Sequence, residues 1–212
     1  MPGRAQFHEA QELLRVDVDA LGLLAEKAVI GALGALLGDD ALAAGAVIAG
    51  DDQIDALFVA LEERAYALVA QQAPVAADLR FLMSALRVMA DFEKTGDRAV
   101  ALAKTTLADW EREPVAIGLL GRMGDLALTM VTSARAAWLE QDLVVASDLK
   151  GRDDVLDSTF RELVAHLLTR QGPGAPSLVL HAHTAGRNLE RIADHIADWA
   201  SLEEQSEGRF IT

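Results

Sequence analysis

The chain has 212 residues, of which 51% are apolar and 25% charged, with a net charge of −14 and no cysteine. That apolar share excludes a disordered chain. The missing cysteine excludes a disulfide scaffold, a thiolate zinc site, an iron–sulfur cluster and a cysteine nucleophile, and the acidity, with no compensating Lys/Arg run, opposes nucleic-acid binding.

Aromatics are scarce at 5%, while Ala and Leu are abundant, which points to helices packed closely through small residues. A first helix is predicted over 5–37. No secretory apolar run follows Met1, because Arg4, His8, Glu9 and Glu12 interrupt it. The longest apolar run, 28–37, is ten residues, and a membrane span needs about 20. A soluble protein, cytoplasmic by default, is the expectation.

Gly38-Asp39-Asp40 breaks the chain, and the second helix is predicted over 40–71. The third, 75–112, begins beside Pro74 and ends near Glu113-Pro114. Its Leu79, Leu82, Leu86 and Met89 form one stripe at spacings of three and four. A fourth helix over 115–140 ends at Gln141-Asp142. The fifth, 142–170, carries Val155, Phe160, Leu163 and Leu167, and the sixth, 176–204, carries Leu189, Ile192, Ile196 and Trp199. All three stripes are expected to be buried. Pro74 and Pro114 suit first helical turns, where the missing N–H is not needed. No segment alternates with period two, so no strand is predicted.

Six helices contain an internal repeat. At an offset of 102, Asp40 falls on Asp142, Asp51 on Asp153, Asp52 on Asp154, Asp55 on Asp157 and Phe58 on Phe160. At an offset of 97, Phe92 falls on Leu189, Glu93 on Glu190 and Asp97 on Asp194. The difference of five is a deletion in the second copy, placed near the Gly172–Pro176 turn. The fold class is therefore all-α, two tandem pseudo-symmetric three-helix bundles, 1–113 and 114–212, each running up, down, up. Phe58 and Phe160 are expected in matching core positions.

Each copy holds two acidic pairs: Asp51/Asp55 with Glu93/Asp97, and Asp153/Asp157 with Glu190/Asp194. Residues four apart share a helix face, so the two carboxylates repel each other unless a cation lies between them. Oxygen-only ligands suit Mg²⁺, Mn²⁺, Ca²⁺ or iron better than a structural zinc; for these clusters Mg, Mn, Fe and Zn are the candidates. The spacing alone discriminates little, since seven such pairs occur and random placement gives about five. Solvated helix faces carry the same spacing. The information lies in placement, one pair on the second helix and one on the third in both copies. A hard cation wants six or more oxygens, so the two pairs of a copy are expected to line one site, with Asp52, Asp91, Asp154 and Asp198 in reserve.

No catalytic constellation is recognisable. His8, His166, His181, His183 and His195 are scattered, and the Glu-x-x-His spacing of a di-iron oxidase is absent. Arg80, Arg87, Arg98, Arg187 and Arg191 invite a phosphate, but Arg87 with Asp91 more simply makes a helix ion pair.

Pro74-Val75-Ala76-Ala77-Asp78-Leu79-Arg80, followed by Leu86-Arg87-Val88-Met89-Ala90-Asp91-Phe92-Glu93-Lys94-Thr95-Gly96-Asp97-Arg98-Ala99, resembles the first signature of the PhoU family. Arg187-Asn188-Leu189-Glu190-Arg191-Ile192-Ala193-Asp194-His195 is similar to the second, and Gly50-Asp51-Asp52-Gln53-Ile54-Asp55 resembles the acidic motif preceding the first. Lys94-Thr95 and Ala193 depart from the usual Arg-Ile and Gly, and Asp198 stands where Asn is common. The resemblance implies a negative regulator of phosphate uptake and of the phosphate-starvation response. Such a protein links a phosphate ABC transporter ATPase to a sensor histidine kinase, is a homodimer, and reaches the membrane only through partners. It also implies metal clusters at the acidic motifs and no enzymatic activity. The alternative is a metal-binding helical scaffold, or a metal-dependent enzyme, unrelated to the transporter.

Overall fold

The computed structural model describes residues 4–72, 76–140 and 143–208. They form α1 (Arg4–Gly38), α2 (Ala41–Gln72), α3 (Ala76–Thr106), α4 (Pro114–Glu140), α5 (Leu143–Leu167) and α6 (Ala175–Gly208), with no strand among the described residues. Pro74, Gln141 and Asp142 lie outside them, as does the side chain of Trp199.

Helices α1, α2 and α3 pack mutually, and so do α4, α5 and α6. The two bundles meet where α1 lies on α4 and α3 on α6. The inner stripe of α1, Leu14, Val18, Leu21, Ala25, Val29, Ala32 and Leu36, is fully buried. Every counterpart 102 residues on, from Ala116 to Trp138, is buried too. The offset found for the second helices thus extends to the first helix of each copy. One continuous core runs through both bundles. Trp138 donates its indole N–H to the Arg15 carbonyl at 2.9 Å and stacks on Phe81. Arg135 of α4 bridges Asp19 and Glu26 of α1.

The helix ends follow local chemistry. Gly38 closes α1, Asp39 takes a left-handed backbone (φ 52°), and Asp40 caps α2 by accepting from the Leu42 and Ala43 amides at 2.9 and 3.0 Å. Helix α3 stops at Thr106 rather than near 112. The Trp110 indole turns back onto the Thr105 carbonyl, while Arg112 stacks over Trp110 and donates to the Thr106 carbonyl, so the freed end is satisfied by side chains. Helix α5 stops at Leu167 rather than 170, and Gly172 makes the turn with φ 108°. Shortening of α5 against α2 accounts for the deletion in the second copy.

Four expected burials fail. Leu79 and Val155 are exposed, and Phe58 and Phe160 are only half-buried. Periodicity places a residue on a face without saying how far round the neighbouring helices reach. The remaining residues of these stripes whose side chains are described are buried or partly so. The run-length estimate also understates α1. Both α1 and α4 contain windows long and apolar enough to span a bilayer by composition, with mean hydropathy 1.8 and 1.4, and 44% of each window is buried inside the bundles. Packing explains the apolarity of α4, whereas α1 is apolar on its outer face as well.

Glu113 is the residue before Pro114 and caps α4. Its buried Oε2 accepts from the Ala116 amide at 2.8 Å and contacts His166 Nε2 at 2.9 Å. Burial alone would raise its pKa, but these donors outweigh it and hold the carboxyl below the usual range. Glu113→Ala is expected to cost about 1–3 kcal/mol in urea unfolding, through the lost cap and the stranded His166. Glu113→Gln, which keeps an acceptor, should cost less. Because the folded pKa is lowered, this contribution is present at neutral pH and lost as pH falls through that depressed value.

Candidate metal centres

The acidic pairs sit where the second and third helices of each bundle touch. Gly96, between Glu93 and Asp97, lies directly against Ile54, between Asp51 and Asp55; a Cβ at residue 96 would meet Ile54 at 2.8 Å. This close approach seats the two pairs against each other across α2 and α3. In the second copy, the matching positions are Leu156 and Ala193, both fully buried. The Ala193 departure therefore puts a methyl group at the corresponding α5–α6 contact.

Electrostatics shows which carboxylates are neighbours. Asp51 is pushed up by burial, then by Asp55 and Asp97, and Lys104 opposes this. Glu93 is pushed up by burial, then by Asp97, Asp55 and Asp51. All four predicted residues of the first copy thus share one negative field. In the second copy, burial and then Asp194, Asp157 and Asp154 raise Asp153 to about 6. Burial, then Asp157 and Asp198, raise Asp194, and burial, then Asp194 and Asp157, raise Glu190. The same four positions cluster again. The reserve residues differ: Asp52 and Asp154 add to the field, whereas Asp91 pairs with Lys94 at 3.1 Å and lies toward Asp198 at the α3–α6 crossing. Arg87 makes no bond to Asp91, so the predicted ion pair is replaced by the Lys94 one.

Do these residues fit a cation? Among the described residues, three buried carboxylate oxygens have no hydrogen-bond partner, Asp51 Oδ1, Asp153 Oδ1 and Glu190 Oε2. The first two are repeat-related. A buried, unpaired, ionised oxygen is costly, and a cation is the partner that would remove the cost. The donor set, all oxygen, suits a hard ion. Among the described residues, no three acidic or histidine side chains are drawn in around a single point, as a bound ion would hold them. The clusters are therefore neighbouring carboxylates rather than a closed cage.

The two clusters are not identical. Arg187 pairs with Glu190 one turn away in the second, and its counterpart in the first is Ala90 at the 97 offset. That pair, three apart on a helix, was readable from spacing and was missed. His195 is half-buried at the α3–α6 crossing, and burial, then Lys94 and Arg98, hold its pKa down; its Nε2 is unpartnered.

Comparison with known proteins places this geometry. The family model described as PhoU domain matches residues 18–106 and 120–202. A phosphate-specific transport system accessory protein PhoU homolog from Caulobacter vibrioides is 31% identical over 193 residues, covering 89% of this chain and 84% of its own. PhoU homolog 1 of Mycobacterium tuberculosis is 32% identical over 198 residues, covering 92% of this chain and 90% of its own. The crystal structure of PhoU from Pseudomonas aeruginosa superposes with a TM-score of 0.88 at 29% identity, covering 96% and 99% of the two chains. The phosphate transport system regulatory protein PhoU from Streptococcus pneumoniae gives 0.88 at 26% identity, covering 97% and 99%.

Proposed function

We propose that this chain, which belongs to the PhoU family, is a cytoplasmic negative regulator that holds the phosphate-starvation response off when phosphate is plentiful. It acts as an adaptor, contacting a phosphate transporter ATPase and a sensor histidine kinase, and it turns over no substrate. The observation that carries the physical part is the pair of repeat-related carboxylate clusters with unpartnered buried oxygens at Asp51, Asp153 and Glu190. Asp51, Asp55, Glu93 and Asp97 would hold one cation or small cluster, and Asp153, Asp157, Glu190 and Asp194 its twin. A hard cation there neutralises the mutual repulsion of the four carboxylates. With repulsion removed, α2 stays closed on α3 and α5 on α6, which fixes the surface offered to partners. Long helices with exposed faces suit helix-against-helix docking.

Deleting the gene in its host and reading starvation-gene expression in high phosphate tests the regulatory role. Derepression in the deletion strain, reversed by the wild-type gene, is the expected result. Normal repression with no second copy of the family left in the strain would overturn it.

A further inference from the structure

Arg98 of α3 and His195 of α6 hold the same position in the two repeats at the 97 offset, and so do Lys94 and Arg191. All four come to the crossing where α3 lies on α6. His195 stands in the field of Lys94, Arg98 and Arg191, and Asp91 in that of Asp198. With Asp91 beside Asp198 and Lys94 beside His195, numbers rise along α3 as they fall along α6. The two helices therefore cross antiparallel, about the pseudo-two-fold axis of the repeats. A basic quartet is gathered on that axis in a chain whose net charge is −14.

The quartet is short of partners. Among the described residues, Arg98 Nε and His195 Nε2 are buried with no hydrogen-bond partner, and Lys94 is the one member in an ion pair, with Asp91 at 3.1 Å. A buried N–H without an acceptor costs stability, and like charges held together add to the cost. The two orphaned nitrogens occupy repeat-related positions, which argues against an accident of one side chain. A single anion on the axis would serve both donors and offset the repulsion. The nearby carboxylates do not, since Asp91 is taken by Lys94 and Asp198 is exposed.

We propose that the α3–α6 crossing binds inorganic phosphate, with Arg98 and His195 as its buried donors and Lys94 and Arg191 as arms on its solvent side. Arg191 is exposed and the Lys94 side chain 45% exposed, so the ion has a way in. A guanidinium presents its Nε–H and an Nη–H as a fork that matches two oxygens of a tetrahedral oxyanion. An imidazole N–H adds a third bond, and the lysine supplies charge. Thr95 and Ile192, within the span of the quartet on each helix, are fully buried. The helices touch there and leave space for a compact ion rather than a nucleotide base. Asp198 gives selectivity. Phosphate near neutral pH carries a proton that this carboxylate accepts, whereas sulfate carries none and meets it as a second negative charge. Bound phosphate ties α3 to α6, and hence one bundle to the other, so the surface offered to partners responds to phosphate itself. The signalling meaning of the site rests on the proposed function; binding does not.

Calorimetric titration of inorganic phosphate into the full chain, in HEPES with a chelator, should give one site with a Kd of about 0.1 mM, as for a small oxyanion held by a few charge-assisted bonds. Arg98→Gln should weaken binding by at least about tenfold. Lys94→Ala and Arg191→Ala, on the exposed arms, should each cost about three- to fivefold without endangering the fold, which circular dichroism checks. Arg122→Gln, an exposed arginine on α4, should change nothing. Sulfate should bind at least about tenfold more weakly than phosphate. No binding up to about 10 mM phosphate overturns the proposal, as do equal affinities for the two anions or indifference to Lys94→Ala/Arg191→Ala. So does binding that appears only when Mn²⁺ is restored, which would assign phosphate to the carboxylate clusters. A deletion strain that derepresses, with a purified chain indifferent to phosphate, would refute this site and leave the regulatory reading standing.

Discussion

Asp153→Asn is expected to raise the melting temperature of the metal-free protein at pH 7.5, and to remove most of the stabilisation that a divalent cation gives its second bundle. Asp153 is partly buried and faces Asp194, Asp157 and Asp154; burial first, then those charges, lift its pKa to about 6. At pH 7.5 it is ionised against its neighbours, so the folded state is destabilised relative to the chain in which the carboxylate is solvated. The folded pKa lies above the unfolded one, so the native state holds the extra proton between them. Wild-type stability should therefore fall as pH rises through about 6 and should be greatest on the acid side of that window. Asparagine removes the charge at similar size, so the variant should lose the share of this pH dependence that Asp153 supplies. It should keep the shares of Asp51, Glu93, Glu190 and Asp194, whose pKa values are also raised. The site retains solvent contact, which screens these charges, and a gain of about 2–4 °C is expected, the shift about 1 kcal/mol produces in a chain of this length. With cation present the order reverses, since losing an oxygen ligand should weaken binding by about 10- to 100-fold, at least the effect of losing an outer-shell partner. Thermal unfolding at pH 5.5 and 7.5, with and without Mn²⁺, reads both halves. A variant less stable than wild type without metal would show that Asp153 makes a stabilising contact of its own.

Phe92→Ala should cost about 3–5 kcal/mol, a large part of the stability of a protein of this size. Phe92 is among the largest fully enclosed side chains, 2% exposed, and its ring lies against Gly22 so closely that a Cβ there would meet it at 2.8 Å. It thereby sets the spacing of α1 and α3 immediately before Glu93. Phe58→Ala, at a half-buried site, should cost clearly less. Urea unfolding of the two variants compares them directly, and equal losses would mean that the enclosed core is not centred on α3.

Much of this was legible in the chain. The repeat fixed the pairing of helices because the residues that recur, Asp51 with Asp153 and Glu93 with Glu190, are those that meet at the α2–α3 and α5–α6 seams. Their grouping was expected from stoichiometry, since one i/i+4 pair supplies too few oxygens for a hard cation. The structure sets the pairs side by side without drawing three carboxylates to one point among the described residues. Degree of burial was not legible. Leu79 and Val155 lie on the predicted stripes yet face solvent, because a stripe has a width and the neighbouring helices cover only part of it. The end of α3 was missed because Leu107–Arg112 contains no strong helix breaker; a tertiary arrangement, Trp110 between Arg112 and His181, holds it. Glu113 was visible as an acid before a proline, a helix-cap signature, but was read only as part of a break in the chain. The Lys94–Asp91 pair replaced the expected Arg87 one because Lys94 lies on the side of α3 that faces α6.

The central claim, that the repeated carboxylate clusters are cation sites, is tested most directly by titrating Mn²⁺ into chelator-stripped protein by calorimetry. Wild type should show two classes of site. Asp51→Asn/Glu93→Gln should lose one, Asp153→Asn/Glu190→Gln the other, and the four changes together should abolish uptake while circular dichroism stays helical. Undiminished uptake by the helical quadruple variant would contradict the account.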